Sequence, residues 1–225
     1  MHMYMKRLIV LFLVITSALQ VEAQEFPSQQ WHPGAVHLTN DTFVTGEIKY
    51  DLEHDAVQVQ VHGKTKTYSS QQVASFKIRP KLQKSFRHFF TLPYVNKTGY
   101  KSPRFFEVVV EGKATLLARE YITTVSARNN TLRQNRRIGL NDPSNRNLGG
   151  YTRTVLAHRL YIVNLDGKIH ELTGRKKDLF FVLEGHNDDL KKFIKDERIR
   201  IDKVNDMARL VGHYNAISTE QSRAY

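Results

Sequence analysis

The chain has 225 residues, 34 Lys and Arg against 22 Asp and Glu, ten histidines and no cysteine, for a formal net charge of +12. That length suits one good-sized domain or a domain with a small appendage. The lack of cysteine excludes disulfides, thiol catalysis and thiolate metal sites, so a hydrophobic core alone must hold the fold.

Lys6 and Arg7 precede the apolar run Leu8–Ile15, and Val21-Glu22-Ala23 closes the segment with small residues. A basic start, a short apolar centre and a small-residue exit predict a signal peptide over 1–23, with Gln24 opening the mature chain. The run is shorter than the roughly 20 apolar residues of a membrane helix. The expected address is outside the cytoplasm, in the periplasm or cell envelope of a Gram-negative bacterium, with no transmembrane span in the mature chain.

From Trp31 to about Leu172 the dominant signal is β. Val57, Val59 and Val61 alternate with Gln58, Gln60 and His62, the period of a half-buried strand. His62-Gly63-Lys64, Glu111-Gly112-Lys113 and Asp166-Gly167-Lys168 each separate runs rich in β-branched and aromatic residues, as Asn40-Asp41 does between Ala35–Leu38 and Phe43–Tyr50. Each reads as a hairpin turn. The expected domain spans 24–174 and is α+β, mainly β: an antiparallel meander forming a roll, sandwich or small barrel. Phe86, Phe89, Phe90, Tyr94, Tyr100, Phe105 and Phe106 read as its core, with a sugar-stacking platform as the alternative.

Segment 126–159 holds seven arginines, Asp142 as its only acid, Asn141-Asp142-Pro143 and Gly149-Gly150. It reads as one long exposed loop. Arginine's planar fork of donors suits phosphate and carboxylate, so Arg128, Arg133, Arg136, Arg137, Arg146 and Arg153 are the candidate polyanion-binding residues. Only Tyr151 supplies a stacking ring there, and nucleic acid is not the expected partner.

After Gly174 the period changes to helical. Helices are expected over Arg175–Leu183, after a cap at Asn187 or Asp188, and after a cap at Asp202. Leu190, Phe193 and Ile194, then Val204, Met207, Ala208, Val211 and Tyr214, form apolar stripes. Together they predict a small helical subdomain over 175–217, packed on the sheet, with 218–225 as a frayed tail.

Catalytic signals are thin. The nucleophile-elbow, Ser-x-x-Lys and His-Glu-x-x-His patterns are not in the sequence. His54 with Asp55, or His186 with Asp188 and Asp189, read as ordinary polar surface rather than metal ligands. Glu47, Asp51, Glu107 and Glu120 are the carboxylates a hydrolase would draw on, although strand carboxylates usually form the solvent-facing half of an alternation. No catalytic residue, metal or cofactor is assigned.

Trp31-His32-Pro33-Gly34, Gly46-Glu47-Ile48-Lys49-Tyr50-Asp51, Lys176-Lys177-Asp178-Leu179, Lys191-Lys192-Phe193-Ile194 and His213-Tyr214-Asn215 together resemble a family of uncharacterised exported proteins of Bacteroidetes-type Gram-negative bacteria. The resemblance implies the envelope address and the two-part build, and carries no active site. The expected function is a non-enzymatic binding or interaction module, with an acidic glycan, lipopolysaccharide or another envelope protein as partner. A carbohydrate-active or other hydrolase is the alternative, and a small outer-membrane barrel a third.

Overall fold

The computed structural model describes residues 26–81, 85–96, 98–126 and 152–223. After a 3-10 turn at Pro27–Gln29 come ten strands: β1 (His32–Leu38), β2 (Phe43–Asp51), β3 (Ala56–Val61), β4 (Lys64–Ser69), β5 (Val73–Ile78), β6 (Arg87–Val95), β7 (Lys101–Val110), β8 (Thr115–Ser126), β9 (Thr152–Val163) and β10 (Ile169–Leu172). They form one antiparallel sheet in the order β10-β9-β8-β7-β6-β5-β1-β2-β3-β4. The turn chemistry explains the connections. His62 and Gly63 both have positive φ, 48° and 76°, the twist a tight hairpin needs between β3 and β4.

The sheet is open, with β10 and β4 as its edges. Lys64 and Lys66 keep the β4 edge charged, which discourages pairing with another strand. The seven strands from β4 to β7 curl around one core, in which Val36, Ile48, Tyr50, Val57, Phe76, Phe89 and Phe105 are buried. Phe76 stacks on Phe89 at 4.4 Å and meets Phe105 edge-on at 5.2 Å. Ser70, just past β4, donates to the Pro103 carbonyl on β7 at 2.9 Å, which draws the rim of the roll back toward its far side.

Three helices follow: α1 (Lys176–Val182), α2 (Asn187–Asp196) and α3 (Val204–Arg223). Leu179, Leu190, Ile194, Met207, Leu210 and Val211 share a core with Leu116, Ala118, Leu160 and Ile162 of β8 and β9. Sequence spacing located all three helices, and the structure shifts their ends. His186 occupies the cap position before α2, ahead of Asn187. The third helix starts at Val204, two residues past Asp202, and runs to Arg223 through most of the expected frayed tail. Among the described residues no helix is long and apolar enough to cross a membrane.

The basic segment is corrected at both ends. Ser126 closes β8, and Thr152–Arg159 lies in β9, with Ser126 paired to Thr152. Thr-Arg-Thr and Ala-His-Arg look loop-like by composition, yet Val155 and Leu156 stand among them in a continuous register with β8. The remaining stretch, 127–151, links the two strands and lies outside the described residues.

Candidate binding cleft

The site begins where two hairpins part. β6 and β7 stay paired to Val95 and Lys101, and β8 and β9 to Ser126 and Thr152. Between them, β7 and β8 pair only from Glu107 and Ala118 to Val110 and Leu116. Beyond Glu107 the sheet therefore forks, and the backbone of Phe105 needs another partner.

The β2–β3 turn supplies it. Asp55, with φ 50°, is buried and accepts from the Phe105 amide at 2.9 Å, from Arg119 Nη1 at 2.7 Å and from Arg104 Nη1 at 3.0 Å. Arg119 Nη1 also donates to the Phe105 carbonyl at 2.6 Å, and its Nη2 donates to the Leu52 carbonyl. A carboxylate and a guanidinium thus replace the missing ladder bonds, and both charges are compensated where burial would otherwise penalise them. Asp55 is drawn inward, whereas its neighbour His54 is exposed and holds Asp51 at 2.7 Å.

A second polar knot sits on the roll side of the fork. Arg87 grips Glu107 with two bonds of 2.7 and 2.6 Å, donates to Glu120 at 2.6 Å and to the Tyr50 hydroxyl at 2.8 Å. Tyr50 in turn donates to Glu120 at 2.7 Å. Burial alone would raise the Glu120 pKa, but the hydrogen bond from His158, the charge of Arg87 and the bond from Tyr50 outweigh it and lower the value to about 2. Burial raises the Tyr50 pKa, so its hydroxyl stays protonated. Glu107 and Glu120 are therefore not on the solvent side of their strands. Glu47 and Asp51 are exposed, and Asp51 lines one hollow together with Glu120.

On the opposite face of the sheet, Phe106, Leu117 and Tyr161 are buried, with Leu92, Tyr94, Val108 and Ile169 against them. Tyr94 on β6 reaches Tyr161 on β9 at 5.6 Å between ring centroids. That contact requires this face to be concave from β6 to β10. At the fork the hollow opens into a cleft of about 460 Å³, walled by Tyr94, Asn96 and Arg104 on one side and by Tyr121, Arg159 and Tyr161 on the other. Glu171 on β10 and Glu53 of the inserted turn complete its rim. Burial, then Glu171, raises the Tyr94 pKa, and burial with Tyr94 and Glu171 raises that of Tyr161 to about 12. Both hydroxyls are therefore neutral donors at ordinary pH.

The period of two fixes which arginines share this face. Arg119 pairs with Arg159 across β8 and β9, and Val125 pairs with Arg153 six residues further along each strand. Arg104 lies two residues from Phe106 on β7. Arg104, Arg119, Arg159 and Arg153 thus project from one side. Arg119 is consumed by Asp55, whereas Arg159 is exposed and lies 4.5 Å over the Tyr121 ring. Arg153 is exposed. Of the six candidate arginines, Arg153 alone is described; Arg128, Arg133, Arg136, Arg137 and Arg146 lie outside the described residues.

Among the expected aromatic core residues, Phe89, Phe105 and Phe106 are fully buried, while Phe86, Phe90 and Tyr100 are exposed. Among the described residues no group of three or more His, Asp or Glu side chains could hold a metal ion. Sequence reading missed Asp55, Arg87, Arg104 and Arg119 as organising residues. A signal existed for three of them: Arg87 shares parity with buried Phe89, Arg104 with buried Phe106, and Arg119 with buried Leu117. No protein-family model, curated protein or solved structure matches this chain.

Proposed function

We propose that this is an exported envelope protein that acts as a non-enzymatic binding module, holding a polyanion such as an acidic glycan along its arginine-bearing sheet face. One observation carries the reading: Arg104, Arg159 and Arg153 lie on the same side of the sheet and lead along the β8–β9 hairpin to the ends that bracket segment 127–151. That segment adds Arg128, Arg133, Arg136, Arg137 and Arg146, with Asp142 its only acid. A row of guanidinium groups at strand spacing suits a ligand with repeated carboxylates or phosphates.

The hydrolase alternative draws little support from the carboxylates. A glycosidase needs one carboxyl kept protonated as a general acid. Glu120 is held ionised, and Glu107 is clamped by the same arginine. Both are committed to holding the fork.

The address rests on the leader-like segment 1–23 and on the resemblance to exported envelope proteins. Cleavage after Ala23 keeps the whole described fold, from buried Phe26 onward. N-terminal sequencing of envelope-fraction protein is expected to begin at Gln24, and mature protein that keeps Met1 would contradict export.

Retention on a heparin matrix across a salt series tests the binding reading. Exposed charges are screened beyond about 8 Å at physiological ionic strength, so elution should respond steeply to salt. Replacing Arg133, Arg136, Arg137 and Arg153 by glutamine is expected to move elution to clearly lower salt while the melting curve stays cooperative. Identical elution of the two proteins would overturn the proposal.

A further inference from the structure

Resting on the polyanion reading for its ligand class, we propose that the fork cleft is a specific subsite for one acidic sugar unit, a uronate, at which an acidic glycan is read rather than merely attracted. Three features of the cleft point to that chemistry.

The first is the combination of rings and forks. Tyr94 stands on one wall and Tyr121 and Tyr161 on the other. Aromatic faces bind the C–H faces of a pyranose ring, which a simple inorganic anion does not have. Arg159 lies over the Tyr121 ring at 4.5 Å, which keeps its guanidinium beside that ring. Arg104 is anchored through Nε to Ser102 at 3.3 Å and through Nη1 to Asp55, with about a third of its side chain exposed to the cleft. A carboxylate lying between these two arginines would meet planar donors that are already positioned.

The second feature is the mixed sign of the lining. Glu171 and Glu53 share the cleft with the arginines. A dense polyphosphate would be repelled by them. A uronate brings a single negative charge and several hydroxyls, and carboxylates are good acceptors for hydroxyl donors. The neutral Tyr161 hydroxyl adds a donor for a ring or hydroxyl oxygen, while the Tyr94 hydroxyl is engaged with Glu171.

The third is size and rigidity. About 460 Å³ falls within the roughly 300–1,000 Å³ of small-molecule sites. The walls belong to two long hairpins locked apart by the Asp55–Arg119 pair. The cleft is therefore preformed, and little ordering is spent on binding.

The experiment is calorimetric titration of the full mature chain with trigalacturonate, with the neutral trisaccharide galactotriose and with tripolyphosphate. Trigalacturonate is expected to bind with one-to-one stoichiometry and at least about tenfold more tightly than either control, since a site built for a carboxylate penalises its loss. Arg159→Gln and Tyr121→Ala are each expected to weaken trigalacturonate at least about tenfold at an unchanged melting temperature, and Arg159→Lys to restore part of the loss. Because Arg159 is exposed, its variants give a readout even if Tyr121→Ala unfolds. Equal binding of galactotriose would overturn the need for the acid, and equal binding of tripolyphosphate would overturn the reading of the sugar. Wild-type affinity in the Arg159 and Tyr121 variants would overturn the site. No trigalacturonate binding by a protein that heparin still retains would defeat the cleft proposal alone; failure on both would defeat the polyanion reading as well.

Discussion

Tyr50, Arg87, Glu107 and Glu120 come from β2, β6, β7 and β8, and their bonds tie the roll to the helix-covered part of the sheet. Tyr50→Phe removes one donor to Glu120 and the acceptor for Arg87 Nη1. The expected cost is about 1–3 kcal/mol near neutrality, the usual penalty for leaving buried polar groups short of partners. The pH dependence follows from Glu120. Its folded pKa, about 2, lies below the ordinary 4.5, so its contribution is complete above that ordinary value and is lost as pH falls toward 2. With the Tyr50 donor gone, the folded pKa moves up, and less stability remains to be lost. Denaturant unfolding of both proteins should therefore show their difference shrinking between about pH 6 and pH 2. A gap that stays constant across this range would mean that Glu120 is not the group involved. Little of this knot was legible in the sequence. Glu120 lies 70 residues from Tyr50, and nothing local marks a glutamate that will face inward. Its parity with Leu116 and Ala118 is visible only once β8 is known to be buried on that side.

At the scale of elements, α3 docks on the β7–β8 turn through Asn215. Its Oδ1 accepts from the Ala114 amide at 2.9 Å, and its Nδ2 donates to the Ala114 carbonyl at 2.9 Å. Ala114 is buried, so Asn215→Ala would leave two backbone groups without partners, at an expected cost of about 1–3 kcal/mol. Gly112 is what lets the asparagine approach, because a Cβ there would stand 2.2 Å from Asn215 Nδ2. Gly112→Ala should consequently destabilise the wild type more than it destabilises the Asn215→Ala protein. Additive costs in that double-mutant cycle would show that the contact does not organise the turn. The turn itself was readable, since Glu-Gly-Lys between apolar runs is local chemistry. Helix positions were readable for the same reason, through the spacing of Met207, Val211 and Tyr214. The first eight residues of β9, Thr152–Arg159, were not: Arg153, Thr154 and Arg159 obscured the alternation, and the pairing depends on β8 across 25 intervening residues.

Across the whole molecule, one sheet curves in two senses. From β4 to β7 one face wraps a hydrophobic core, and from β6 to β10 the other face becomes hollow. The fork between β7 and β8 is where the sense changes, and the inserted turn with Asp55 keeps it open. The sequence indicated an antiparallel meander with C-terminal helices, because strand period and hairpin turns are encoded locally. It could not indicate the fork, which depends on Asp55 meeting Arg119 from 64 residues away. The hollow beside this fork is proposed to bind an acidic glycan. Amide chemical-shift mapping with trigalacturonate on labelled protein spanning residues 24–225 tests this. Perturbations are expected at Tyr94, Arg104, Tyr121, Arg159 and Tyr161, with α1, α2 and α3 unchanged. Perturbations confined to the helices, or to the exposed Phe43 and Phe90 on the far part of the sheet, would contradict it.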